Sequence, residues 1–183
     1  LLLMKQWQIP VPAGNAANDG TNSFRTGTVP TIGVTSNGAV HLAWGEWTGT
    51  DAEVRYVRST NGGQTWSPPI SMNDTPTGHQ FFPSLVTDGQ NVHVAWYDSR
   101  LDTPAGGVID DLDVFYNRST NAGASFAADA RITDRSFDPN QVSRFPVFCA
   151  AFIGDYIDID AADGQVAVIW NDNRNVVDPL SPA

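Results

Sequence analysis

Two segments of the sequence place an aspartate two residues before an arginine, each time just after a tryptophan in an apolar run. The pairs are Asp98 with Arg100 and Asp172 with Arg174, and Glu46 holds the same acidic position after a third such run. Because a guanidinium holds a carboxylate through two parallel hydrogen bonds, the two arginines could grip an acidic ligand. In the other interpretation, each aspartate–arginine pair caps its own turn and links neighbouring repeats, and the sequence leaves both open.

Other residues near these pairs offer further chemistry. Tyr156 is a ligand-binding candidate beside Arg100, Arg174 and Asp172. Calcium prefers six to eight oxygen ligands, which aspartates can supply. The possible calcium ligands are Asp98, Asp110, Asp111 and Asp113. A solvated acidic loop is the alternative interpretation, and no other cofactor is required.

The composition excludes several classes of function. The 183 residues include 20 acidic and 10 basic side chains, for a formal net charge of -10. A nucleic-acid partner requires clustered positive charge, so none is expected. No apolar run approaches the roughly 20 residues of a membrane-spanning helix. The single cysteine, Cys149, excludes an intrachain disulfide.

The tryptophans mark an internal repeat of β-strands. Three apolar runs align on Trp44, Trp96 and Trp170, and each follows a turn signal such as Ser36-Asn37-Gly38. Because they occupy equivalent positions, we expect these tryptophans to be largely buried. In two repeats another strand and a glycine-containing turn follow, at 59–66 and 119–126, and then a fourth short strand. We call these two segments the asparagine turns.

The unit is therefore four short antiparallel strands, which repeat at the period of propeller blades. The sequence predicts an all-β protein with about two and a half blades and no helix longer than about two turns. The predicted boundaries are an irregular segment at 1–29 and propeller blades over 30–183, with blades at 30–74, 83–133 and, in part, 153–174.

The asparagine turns resemble the Asp-box, or BNR repeat, of sialidase-like β-propellers, in which Ser-x-Asp-x-Gly-x-Thr-Trp forms a hairpin. Asn61 and Asn121 replace the aspartate, and asparagine can make the same local bonds to backbone amides. The resemblance implies that Trp66 and Phe126 pack under their turns. The residues that match the motif are Ser59, Asn61, Gly63, Trp66, Ser119, Asn121, Gly123 and Phe126.

The resemblance implies function less directly than fold, since Asp-boxes are structural. Catalytic sialidases carry a Phe-Arg-Ile-Pro motif, where this sequence reads Gln80-Phe81-Phe82-Pro83, and their nucleophilic tyrosine lies in later blades. We therefore expect an extracellular or cell-surface module that binds a glycan or a protein. The alternatives are part of a sialidase-type exo-glycosidase, with Asp98 or Asp155 as acid/base candidates, and an architectural subunit.

Strand order predicts where binding occurs and how the repeats are completed. In up-and-down blades the two aspartate–arginine pairs lie on the face opposite the asparagine turns, and the longer loops share their face. Binding residues occur mostly on loops, so the longer loops favour a binding site on that face. The third repeat has only two strands, so Val166 to Trp170 is an open edge. We expect other copies or additional blades to complete the ring.

Overall fold

Every regular element in the described part of the chain is a β-strand. The computed structural model describes residues 6–8, 25–102, 109–139, 154 and 156–175, and within them it contains no helix. The predicted all-β class is therefore confirmed. The strands are β1 (Gln6–Gln8), β2 (Arg25–Gly27), β3 (Thr31–Val34), β4 (Val40–Trp47), β5 (Ala52–Ser59), β6 (Ile70–Ser71), β7 (Gln80–Asp88), β8 (Asn91–Asp98), β9 (Asp113–Ser119), β10 (Ala130–Arg131), β11 (Asp158–Ala162) and β12 (Gln165–Ile169).

The strands form antiparallel sheets in which chain neighbours are also spatial neighbours. The first sheet is β3-β4-β5-β6, the second is β7-β8-β9-β10, and the third contains β11 and β12. A separate pair joins β1 to β2. The two-residue connections from β7 to β8 and from β11 to β12 can join only antiparallel strands, which fits this up-and-down order. In the described residues no helix is long and apolar enough to cross a membrane.

The three sheets pack in chain order, and the first strand of each one makes the contact. Strand β7 packs against β3, β4 and β5, and β11 packs against β7 and β8. One core cluster joins the first two sheets through Tyr56, Leu85 and Trp96. A second cluster joins the second sheet to the third through Tyr97 and Ile159. The second sheet is therefore covered on both faces, which explains the nearly continuous apolar run in β8.

Strand β7 begins earlier than the sequence predicts and contains a bulge. The sequence predicts that the second blade begins at Pro83, but β7 starts at Gln80 and its register shifts between Phe81 and Ser84. Proline has no amide hydrogen for the ladder, so it is tolerated in a strand at a bulge. Phe82 takes a left-handed φ of 50° and is 3% exposed. Its burial against neighbouring aromatic rings holds this strained backbone.

The three aligned tryptophans are buried to different degrees. Trp44 and Trp96 are 6% and 0% exposed. Trp170 is partly buried and packs against the core cluster that joins the second and third sheets. The aromatic residues of the two asparagine turns differ in their surroundings. Phe126 packs against the Tyr56 ring of the first sheet at 4.8 Å, whereas Trp66 is 40% exposed and its ring lies near Gly63 of its own turn, 3.7 Å from a Cβ atom built there.

The segment 1–29 is not irregular throughout. Arg25–Gly27 forms β2 and pairs with Gln6–Gln8 over three residues. The ladder is short: three residues of each strand face each other in antiparallel register. The prediction therefore fails for these two short stretches, and residues 1–5 and 9–24 lie outside the described part.

Candidate functional site

The register of the strands gives each sheet two distinct ends. In the second sheet Asp98 pairs with Asp113 at one end, and Val92 pairs with Ser119 at the other. We call these the loop end and the turn end, since the asparagine turns follow β5 and β9. The third sheet follows the same order, because the Tyr97 hydroxyl accepts a bond from the Asn171 amide at the loop end. Both aspartate–arginine pairs therefore lie opposite the asparagine turns, as strand order predicts.

The asparagine turns have the local geometry that their sequence predicts. In the first, the Asn61 side-chain oxygen accepts bonds from the Ser59 hydroxyl and the Thr65 amide, both at 2.9 Å. In the second, Asn121 accepts the same bonds from Ser119 and Ser125 at 2.7 and 3.0 Å. An amide oxygen thus fills the acceptor role of a carboxylate, and the turn survives the substitution.

Arg100 lies at the centre of a buried ion cluster. Its guanidinium donates four hydrogen bonds: two go to Asp98, one to Asp74 at 2.7 Å and one to Asp129 at 2.8 Å. The same group stacks on the Phe115 ring, 4.0 Å from the ring centre. Since Asp74 belongs to the segment after β6, the cluster joins the first sheet to the second.

In this cluster, burial and the ionic hydrogen bonds act on the pKa values in opposite directions. The Arg100 side chain is 9% exposed, and those of Asp98 and Asp129 are 0% and 1% exposed. Burial alone would lower the pKa of Arg100, but hydrogen bonds to Asp98 and Asp129 raise it above its usual value. Burial raises the pKa of Asp129 despite the arginine beside it. Arg100 is thus engaged inside the protein and does not project toward a ligand.

Arg174 repeats this arrangement in the third sheet. Its guanidinium pairs with Asp172 and with Asp134, and its amide bonds to Asp172 at 3.0 Å. Asp134 follows β10 just as Asp74 follows β6, so each arginine reaches back to the preceding sheet. We call these two ion pairs, Arg100 with Asp74 and Arg174 with Asp134, the inter-sheet clasps.

The second clasp is more exposed than the first. The Asp134 side chain is 81% exposed, compared with 15% for Arg174. Hydrogen bonds from Arg174 lower the pKa of Asp134. Burial acts against ionisation of Asp172, but the same arginine holds the pKa of that carboxyl below its usual value. The arrangement matches the interpretation in which each pair caps a turn and links repeats.

The aspartates that the sequence grouped as calcium ligands divide into different environments. Asp98 belongs to the Arg100 cluster. Asp113 accepts bonds from Arg131 at 2.9 Å and from Thr133 at 2.6 Å. The structure brings Asp110 and Asp111 together with a residue that the sequence analysis missed, Asp102. Oxygens of these three carboxylates lie within 4.8 Å of one another.

Burial and crowding raise the pKa of two of these three carboxyl groups. Burial, and then the neighbouring Asp110, raise the pKa of Asp102 to about 6. Burial and the charge of Asp110 also raise the pKa of Asp111. A cation would favour the ionised forms, and a proton shared between carboxylates relieves the same repulsion. Calcium binding here stays a prediction.

Among the described residues, Tyr156 is the most exposed aromatic residue at the loop end. It is 71% exposed and lies two residues before β11, whose first residue, Asp158, pairs with Ile169. Asn171 and Asp172 follow β12 at the same end and are exposed residues, although the Asp172 side chain itself is only 21% exposed and pairs with Arg174. Asp155, an acid/base candidate, lies outside the described residues, and its role stays a prediction.

Sequence reasoning missed the partners of the arginines. Asp74, Asp129 and Asp134 all lie in connecting segments after or before a short fourth strand. One signal was available, because Asp74 and Asp134 occupy equivalent positions three residues after β6 and β10. The two histidines on β4 and β8, His41 and His93, bond to tyrosine hydroxyls of the next strand at 2.7 Å in each case. Burial and the nearby Arg58 lower the pKa of His41 to about 4, so that it stays neutral.

Comparison with known proteins supports the fold and goes no further. No family model and no curated protein matches the sequence. The Hadza microbial sialidase Hz136 aligns with a TM-score of 0.51 at 16% identity, over 80% of this chain and 33% of its own. A protein of unknown function from Dyadobacter fermentans aligns with a TM-score of 0.42 at 21% identity, over 57% and 36%. The chain thus spans about a third of the length of either structure. At this identity the sialidase gives weak support for a sialidase-like fold alone.

Proposed function

We propose that the three sheets are consecutive blades of a β-propeller. Three observations support the proposal: each complete sheet is a four-stranded meander, successive sheets pack through their first strands, and the sialidase aligns over 80% of this chain. The inter-sheet clasps fit this arrangement, since they fix each sheet on its predecessor. In propellers the loops at one end of the blades form the usual binding surface.

We further propose that the loop end binds a carbohydrate that is neutral. The carrying observation is the exposed ring of Tyr156 at the same end of the third sheet as the exposed residues Asn171 and Asp172. A tyrosine ring offers an apolar face to a sugar ring, and amide and carboxylate groups bond its hydroxyls. An acidic sugar is disfavoured, because Arg100 and Arg174 are held by aspartates.

Binding to a glycan array, followed by titration of the strongest glycan, tests this proposal. We expect Tyr156→Ala to weaken binding by at least about tenfold, since aromatic contacts dominate such sites. Val34→Ala is the matched control, because Val34 is 56% exposed and lies at the turn end of β3. A glycan bound equally well by Tyr156→Ala would contradict the proposed surface.

A sialidase-type hydrolase is the second candidate, and the sialidase neighbour is the observation in its favour. Such an enzyme requires free arginines and an accessible acid. Asp98 is 0% exposed and bonded to Arg100, which weighs against its candidacy. An architectural role is the third candidate, and the inter-sheet clasps favour it. Both remain alternatives to the binding module.

A further inference from the structure

The Tyr97 hydroxyl joins the second sheet to the loop that follows β12. It accepts a hydrogen bond from the Asn171 amide at 2.9 Å and donates one to the Asn171 carbonyl at 3.3 Å. Burial raises the pKa of Tyr97 above its usual value, so the hydroxyl keeps the proton that it donates. One side chain from the neighbouring sheet therefore holds both backbone polar groups of Asn171.

Aromatic rings fix the position of this tyrosine. Tyr97 is 1% exposed, and its ring stacks on the Phe81 ring with 5.7 Å between the ring centres. The rings of Phe82 and Phe137 meet it edge to face at 6.3 and 6.2 Å. Because protein interiors are close-packed, a ring that is enclosed in this way cannot turn to another rotamer without displacing its neighbours. The hydroxyl is therefore held in one place, and so is the Asn171 backbone.

The segment that carries the exposed ring of Tyr156 packs in the same region. Ile157, the next residue, is 5% exposed and belongs to the core cluster that contains Tyr97. Gly154, two residues before Tyr156, lies so close to Asn171 that a Cβ atom built on it would overlap the side-chain amide. Gly154 also has a φ of 96°, which residues with a side chain rarely adopt. The Asn171 amide thus lies against the chain that leads into Tyr156.

The contact between Tyr97 and Asn171 is not part of the repeat. The residues that directly follow the three aligned tryptophans are Gly45, Tyr97 and Asn171. Glycine has no side chain, so the first sheet cannot make from this position the bond to the second sheet that Tyr97 makes to the third. The inter-sheet clasps, in contrast, occur in both the second and the third sheet. A contact that occurs once is better explained by a local role than by the packing common to all repeats.

We propose that Tyr97 is a positioning residue for the carbohydrate site at the loop end. Its hydroxyl holds the Asn171 backbone, and the missing side chain of Gly154 leaves room for the Asn171 amide beside the segment of Tyr156. An amide has two donor hydrogens and an acceptor oxygen, so it can bond a sugar hydroxyl as well as its neighbours. A group that is already held in its binding position loses less conformational entropy when the ligand binds. This inference rests on the proposed carbohydrate site.

Hydrogen exchange measured by NMR without any glycan tests the bond itself. In Tyr97→Phe the Asn171 amide loses its acceptor, so it should exchange at least about tenfold faster relative to the amides of β8. Tyr116→Phe is the matched control, because the Tyr116 hydroxyl bonds His93 near the turn end at 2.7 Å. It should leave the relative exchange of Asn171 unchanged. An Asn171 amide that exchanges no faster in Tyr97→Phe would overturn the proposal.

Affinity for the neutral glycan that binds most strongly on the array tests the positioning role. Tyr97→Phe should weaken binding about tenfold, whereas Tyr116→Phe should leave it unchanged. Because Tyr97 acts through Asn171, adding Tyr97→Phe to Asn171→Ala should cost less than about twofold further affinity. Unchanged binding in Tyr97→Phe, or losses that add in full in the double variant, would overturn the positioning role.

Gly154→Ala disturbs the same asparagine from its other side, and it leaves Tyr97 in place. It should weaken glycan binding about tenfold, because the added Cβ atom displaces the Asn171 amide. Gly164→Ala is its control, since Gly164 also has a positive φ in the third sheet but a Cβ atom there meets open space. Equal affinity of the two alanine variants would contradict the role of Gly154.

These measurements separate the positioning role from the carbohydrate site itself. If the natural chain binds no glycan on the array, the proposed carbohydrate site is wrong, and the role of Tyr97 there is wrong with it, even where exchange confirms the bond to Asn171. If the natural chain binds a glycan and Tyr97→Phe binds it equally well, the carbohydrate site stands and only the positioning role is overturned.

Discussion

Removal of the Arg100 side chain should destabilise the protein severely. In Arg100→Ala, the carboxylates of Asp98 and Asp129 lose their shared cation while remaining 0% and 1% exposed. The stacking of the guanidinium on Phe115 is lost as well. Asp74, which is half exposed, loses its tie to the second sheet. The variant therefore leaves two buried carboxylates without a compensating positive charge, and it also removes the ion pair between Arg100 and Asp74.

The loss of stability expected for Arg100→Ala can be estimated from the burial of these carboxylates. Breaking a buried ion pair by removing one partner costs about 3–5 kcal/mol. That is a large fraction of the roughly 5–15 kcal/mol by which a folded domain is stable. At about 2–4 °C per kcal/mol for a chain of this size, the melting temperature should fall by roughly 6–20 °C. Arg174→Ala should cost less, because its partner Asp134 is 81% exposed.

Urea unfolding and thermal melts measured at two pH values test this expectation. The pKa of Asp129 already lies above its usual value because the group is buried, and loss of Arg100 should raise it further. A carboxyl with a raised pKa in the folded state favours folding at low pH and loses that contribution as pH rises through the raised value. Arg100→Ala should therefore be less impaired at pH 5 than at pH 8. A loss below about 1 kcal/mol at pH 8 would refute the reasoning.

Three further predictions concern single side chains. Because burial and Asp110 raise the pKa of Asp102 to about 6, Asp110→Asn should be more stable than the natural chain above pH 6, by less than about 1 kcal/mol after solvent screening, and equal near pH 4 in thermal melts. Gly123→Ala should cost about 1–3 kcal/mol more than Gly63→Ala in urea unfolding, because both positions have positive φ but only at Gly123 would an added Cβ atom lie 1.8 Å from a tyrosine hydroxyl; equal losses would contradict the close fit. Because the pKa of His41 is lowered from 6.5 to about 4, the natural chain should lose stability as pH falls between these values, whereas His41→Gln should show a smaller slope.

The strands and their ends could be predicted because their signals are local. Alternating apolar residues around Trp44 and Trp96, and turn residues such as Asn61 and Asn121, specify strand and turn within a few positions. Strand parity then determines which loops share an end. The bulge at Phe82 could not be placed, because it depends on how the ring packs among aromatic neighbours from other parts of the second sheet.

The role of the arginines could not be predicted from spacing alone. Two aspartate–arginine repeats fit a ligand clamp and a structural clasp equally well, and the decision depends on Asp74, Asp129 and Asp134, which come from distant connecting segments. The same limit applies to Trp66. It is equivalent to Phe126 in sequence, but Phe126 meets Tyr56 of the neighbouring sheet, and no such ring contacts Trp66 in the described residues. The repeats themselves appear in the sequence as a periodic pattern, whereas the contacts between repeats do not.

The central claim is that the arginines hold the protein together and do not serve an acidic substrate. Hydrolysis of a fluorogenic sialoside by the full chain tests it most directly, with Arg174→Ala and the exposed-arginine control Arg135→Ala measured in parallel. We expect release of the fluorophore at the same background rate for all three proteins. Turnover by the natural chain that Arg174→Ala abolishes and Arg135→Ala retains would contradict the account.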